Sequence, residues 1–96
     1  MNYLLTEEAK NDLTEIGDYI SLDNSTAARN MMIKFKEIFE KLVLTPKLGH
    51  KRKDLTNKNV RFWSLKNYLI IYQINEDTII ILRILSGYRD ITTLLK

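Results

Sequence analysis

The chain has 96 residues, 45% of them hydrophobic and 28% charged, with 3 Gly and 1 Pro; this balance fits one folded domain over residues 1–96 and excludes disordered, collagen-like and linker-like classes. With no Cys and 1 His it has no disulfide framework, no thiolate chemistry and no multi-histidine metal centre. The formal net charge of +3 is unevenly spread: residues 1–46 hold 5 Lys/Arg and 8 Asp/Glu, net −3, and residues 47–96 hold 10 and 4, net +6.

Asn2 to Leu5 read as a short strand. Thr6 is placed as an N-cap, with Glu7 and Glu8 in the first turn, where the helix dipole favours negative charge. Ala9, Leu13, Ile16 and Ile20 recur at spacings of four, three and four, which is one helical face. Ser21 to Ser25 is a polar break containing two capping residues, Asp23 and Asn24. A longer helix follows, with Ala28, Met31 or Met32, Phe35, Ile38 or Phe39, and Leu42 as its apolar stripe. Thr45-Pro46 ends it, because proline has no N–H to give and pushes its predecessor out of helical geometry. So short a break makes the helices an antiparallel hairpin.

Lys47 to Asn59 is polar, basic and aperiodic, and reads as a loop. Val60–Lys66, Tyr68–Asn75 and Thr78–Ser86 read as three strands of an antiparallel meander, separated by short polar breaks. The order β-α-α-β-β-β predicts an α+β domain: an N-terminal strand and a two-helix hairpin packed on a small twisted antiparallel sheet. Tyr68/Ile70/Tyr72/Ile74 alternate with Leu69/Ile71, and Ile79/Ile81/Leu85 with Ile80/Leu82/Ile84, so both faces of these strands are apolar. Helices on one side cover one face, and a homodimer mate or another polypeptide is expected on the other, the alternative being an open face with aggregation as the risk. No apolar run reaches the roughly 18 residues of a membrane span. Met1-Asn2-Tyr3 lacks the basic start of a secretory signal, so a soluble, reducing compartment is expected.

No P-loop, GxGxxG or GxSxG motif is present, and His50, in a Gly-His-Lys-Arg-Lys run, reads as a surface residue. The basic residues carry more information. Lys47, Lys51, Arg52 and Lys53 cluster in the central loop, with Arg61, Lys66, Arg83 and Arg89 along and after the sheet. Arg83 interrupts an apolar strand, so it either pairs with a carboxylate, from Asp90 or a helix, or emerges where a partner covers it. Phe62 and Trp63 point to opposite faces, and an outward aromatic beside Arg61 suits base stacking or an interface anchor. Gly87 permits a sharp exit from the last strand, leaving Tyr88 and Arg89 to stack on a base or hold a phosphate.

Several segments in this order resemble the ParE/RelE superfamily of bacterial type II toxin–antitoxin toxins over nearly the whole chain. They are Thr6-Glu-Glu-Ala9, Asp12-Leu13, Ile16-Gly-Asp-Tyr19-Ile20 and Pro46-Lys-Leu-Gly49, then Val60-Arg61-Phe62-Trp63, Asn67-Tyr68-Leu-Ile-Ile-Tyr72 and Ile84-Leu85-Ser86-Gly87-Tyr88-Arg89-Asp90. The resemblance implies the same β-α-α-β-β-β fold, a cytoplasmic protein, a cognate antitoxin, and no metal or other cofactor. RelE-like members cut messenger RNA on the ribosome; ParE-like members poison DNA gyrase. Leu69 stands where ribosome-dependent nucleases often carry arginine, and the tail from Thr92 to Lys96 has no tyrosine or histidine. Tyr88 and Arg89 are then the remaining catalytic candidates, and the resemblance favours the ParE-like branch: a gyrase-binding poison. Its target would meet Arg61, Arg83, Tyr88, Arg89, Lys51, Arg52 and Lys53. Its antitoxin would meet Met31, Met32, Phe35, Trp63 and Tyr72, and a homodimer would form without it. The alternatives are a ribosome-dependent, metal-independent mRNA endonuclease and an inactive antitoxin-binding scaffold.

Overall fold

The computed structural model describes residues 1–86, so Tyr88, Arg89 and the tail lie outside the described residues. The elements follow in the order β1 (Asn2–Leu5), α1 (Glu7–Ser21), α2 (Ser25–Leu44), β2 (Arg61–Leu65), β3 (Tyr68–Asn75) and β4 (Thr78–Ser86). The strands form one sheet ordered β1-β4-β3-β2. β2, β3 and β4 are the expected antiparallel meander, whereas β1 adds in parallel to β4, so the sheet is mixed at that edge.

Local chemistry fixes the helix ends. The Thr6 hydroxyl accepts from the Ala9 N–H at 3.1 Å and donates to the Leu82 carbonyl at 2.8 Å, so the same side chain caps α1 and ties it to β4. Asn24, rather than Asp23, caps α2, accepting from the Ala27 N–H at 3.0 Å. The two-residue turns after β2 and β3 place Lys66 (φ 56°) and Glu76 (φ 57°) in the left-handed region. Neither position carries the glycine, asparagine or aspartate that adopts this geometry readily.

Ala9 from α1 and Phe35, Phe39 and Leu42 from α2 meet Ile70, Tyr72, Ile79, Ile81 and Ile84 from the sheet in the main core. A bulge at Ile71/Tyr72 determines which residues of β4 reach it. Ile70 pairs with Ile84 and Ile71 with Arg83, but Tyr72 pairs with Ile81, which leaves Leu82 as the extra residue. Strict alternation predicts Leu85 beside Ile79 and Ile81. The inserted residue instead sends Ile84 to the helix side and Leu85 to the other face.

That other face is partly closed by the chain itself. Val60, Phe62, Leu69, Ile71 and Leu85 form a second buried cluster, on which Leu55 from the connection between α2 and β2 packs together with Leu82. The sequence alone expects a partner chain over this face; the structure shows Leu55 and Val60 of the connection covering part of it. Leu4 remains 57% exposed and Ile80 and Leu82 are half-buried at the β1–β4 end.

Candidate functional site

The basic surface is organised by the turn after α2. The Tyr72 hydroxyl donates to the Pro46 carbonyl at 2.7 Å and accepts the Gly49 N–H at 2.8 Å, while Arg61 Nη1 donates to the Gly49 carbonyl at 2.8 Å. A Cβ on Gly49 would lie 2.6 Å from Tyr72 Cε1 and 2.7 Å from its hydroxyl oxygen, so no side chain fits there without movement. His50 then pairs with Phe62 through both backbone hydrogen bonds, at 2.9 and 2.8 Å, fixing the loop to β2. Burial pushes the Tyr72 phenol above its ordinary pKa, against the lowering effects of the Gly49 hydrogen bond and the Arg61 charge. The phenol therefore stays protonated and serves as a structural clasp.

This clasp presents Lys47, Lys51 and Arg61 to one pocket of about 230 Å³, lined further by Asn59, Gln73 and Ile74. Among the described residues no carboxylate lines it, and the ion pairs of the structure lie elsewhere. Asn59, Gln73 and Ile74 also line a neighbouring pocket with Lys58, Val60, Asn75 and Leu82, so the two hollows adjoin across the end of β3. A third pocket, of about 320 Å³, lies against His50, Arg52, Phe62, Trp63, Ser64 and Leu69. The His50 ring tilts at 37° to the Trp63 ring, with centroids 6.4 Å apart. Among the described residues no group of three His, Cys, Asp or Glu could hold a metal ion.

The structure separates the residues singled out from sequence. Arg61 and Lys51 line the basic pocket, Lys51 exposed and Arg61 half-buried, while Lys53 is exposed in the same connection. Arg52 is bound by Asp54, at 2.9 Å from Nε and 2.7 Å from Nη2, and this pairing holds the Asp54 carboxyl below its usual pKa. Arg83 belongs elsewhere. Its guanidinium makes a two-pronged bond to Asp12 of α1, at 2.8 and 3.0 Å, which raises its pKa further, and Asp12 also accepts the Ile84 N–H at 2.9 Å. One helix carboxylate therefore satisfies both the cation and a strand N–H. Of the two readings the sequence leaves for Arg83, the structure shows the pairing with a helix carboxylate.

Of the residues expected at an antitoxin interface, Phe35 is 1% exposed and Tyr72 0%, so both are core and offer no surface to another chain. Met31, Met32 and Trp63 are half-buried and retain exposed area. Lys66, at the turn after β2, lies against Lys34 of α2, and the contact between two ammonium groups holds its pKa below the usual value. Gly49, Asn59 and Gln73 escaped notice as site residues in the sequence. The Pro46-Lys-Leu-Gly49 turn was the available signal for the first; nothing in the linear pattern marks the other two.

Comparison with known proteins gives a consistent result. The family model described as the ParE toxin of type II toxin-antitoxin system, parDE, matches residues 3–91. Toxin ParE3 of Caulobacter vibrioides is 28% identical over 83 residues, covering 85% of this chain and 82% of that protein. A solved structure titled as the chromosomal ParDE TA system from P. aeruginosa superposes with a TM-score of 0.76 at 24% identity, covering 92% of this chain and 97% of that one.

Proposed function

Because the chain belongs to the family of ParE toxins of type II toxin–antitoxin systems, we propose that it is a protein poison of DNA gyrase, acting in the cytoplasm and neutralised by a cognate antitoxin. Membership of the family implies the antitoxin; gyrase is the reading that the surface favours. The observation that carries it is the pocket of Lys47, Lys51 and Arg61, where three cations and two side-chain amides converge and, among the described residues, no carboxylate or imidazole joins them. Such a surface suits binding to an acidic or polyanionic target rather than hydrolysis, which needs a matched proton acceptor and donor. The antitoxin would lie over α2, where Met31 and Met32 keep exposed area and Ile33 is 50% exposed.

Purified chain added to gyrase and a relaxed plasmid should block supercoiling and accumulate cleaved plasmid, and an equimolar cognate antitoxin should reverse both. Supercoiling that continues unchanged at excess toxin would contradict the proposal. A second reading, ribosome-dependent RNA cleavage, draws on the pocket in which His50 and Arg52 meet. It predicts cut messenger RNA on translating ribosomes in a toeprinting assay, where the gyrase reading predicts none.

A further inference from the structure

A gyrase poison can act through protein contacts alone, yet the basic pocket and the aromatic pocket lie side by side. Arg61 and Trp63 are two residues apart on β2, so their side chains leave the same face of the strand about 7 Å apart. Lys51 and His50 are sequence neighbours and line the basic and the aromatic pocket respectively. From this juxtaposition we infer that the chain binds an unpaired stretch of nucleic acid directly, a backbone phosphate seated by Lys47, Lys51 and Arg61 and the adjoining base against Trp63.

Each half has its own physical basis. Arg61 is oriented in advance by its bond to the Gly49 carbonyl, which is itself held by Tyr72 through the Gly49 N–H, so one donor group of the phosphate site is already fixed. Lys47 and Lys51 are exposed, without a carboxylate partner among the described residues, and bring two mobile charges to the same pocket. Trp63, partly packed on the main core, keeps exposed area beside a neighbouring pocket of about 320 Å³ that Phe62 and Leu69 of the other sheet face also line, a size suited to a small planar ligand. Aromatic side chains beside a cationic groove are how proteins hold single strands, since every base offers a face to stack. A duplex keeps its bases stacked inside and cannot offer one to the indole. An acidic peptide would satisfy the cations but would leave the aromatic pocket without a reason. The inference assigns Trp63 to nucleic acid rather than to the antitoxin.

The chain contains 1 Trp, so tryptophan fluorescence, excited to the red of the tyrosine band, reports on Trp63 alone. The experiment titrates the full chain, freed of antitoxin, with a twelve-nucleotide oligothymidylate, the matching oligouridylate, a twelve-base-pair duplex and polyglutamate, at about 50 mM and about 200 mM salt. Quenching by either single strand is expected, and the two strands separate a DNA source from an RNA source. In K47Q/K51Q the midpoint should rise roughly tenfold at the lower salt, and the slope of log affinity against log salt should shrink by up to about 0.7, the value for one phosphate of a single strand. Both lysines are exposed, so the variant keeps its fold. W63L, followed by anisotropy of a labelled strand, should weaken binding while leaving the salt slope unchanged. Absence of quenching, quenching equally strong in K47Q/K51Q, or equal quenching by the duplex or by polyglutamate would each overturn the inference. None of these outcomes bears on whether gyrase is inhibited, so the two proposals fail separately.

Discussion

On the helix side of the sheet, Phe35, Phe39 and Leu42 press on Ile70, Tyr72, Ile79 and Ile81, each 3% exposed or less. On the other side, five buried residues gather under Leu55 at one end, while Leu4, Ile80 and Leu82 stay partly open at the other. The difference lies in what covers each face. Two helices with aromatic and aliphatic stripes seal the first. A basic connection that lends Leu55 and Val60 to the second can close only part of it, and it brings its charges with it. In this chain the element that covers the second face is the one that builds the candidate site.

Neighbouring residues on β4 give the largest test of that contrast. Ile81→Ala should destabilise the fold by about 2–5 kcal/mol, as for other large-to-small changes in a sealed core, and Leu82→Ala by clearly less, in urea denaturation followed by circular dichroism. Equal losses would mean that the second face is as closed as the first. Next comes the Asp12–Arg83 clasp between the helix side and the bulge. Asp12→Ala should cost about 2–4 kcal/mol, because a partly buried guanidinium and the Ile84 N–H both lose their partner. The double variant D12A/R83M should recover part of the loss.

Gly49→Ala sharpens the comparison at the point where the faces meet. The added methyl collides with the Tyr72 ring and should cost about 1–3 kcal/mol while loosening the basic loop. Tyr72 also gives a pH dependence. Burial raises its folded pKa above the value near 10 of an unfolded tyrosine, so its contribution is complete below pH 10 and is lost as pH rises through the folded pKa. An alkaline titration of stability should fall more steeply in the native chain than in Tyr72→Phe. The smallest effect is a gain. Lys66→Gly places glycine at φ 56° and removes a like-charge contact with Lys34, and should raise the urea midpoint slightly.

Element order was legible in the sequence because the period changes sharply, from Ala9-Leu13-Ile16-Ile20 to Tyr68-Ile70-Tyr72, and because Thr6, Asn24 and Pro46 mark the helix ends. The parallel docking of β1 on β4 was not legible, since Asn2 to Leu5 carry no mark of a neighbour far along the chain. Nor was the bulge: an extra residue in an apolar strand changes no residue type, yet it exchanges the faces of Ile84 and Leu85. The candidate site was legible as charge and illegible as geometry. Its cations were visible, but Tyr72 looked like an interface anchor until its hydroxyl was found holding the turn that presents them.

The most direct test of the account is to induce the chain without its antitoxin in a bacterial host and pulse-label DNA and protein synthesis in parallel. A gyrase poison predicts that DNA synthesis falls first, with a DNA-damage response and filamentation, and that the K47Q/K51Q variant is milder. Translation collapsing first, while DNA synthesis continues, would contradict it and place the target on the ribosome.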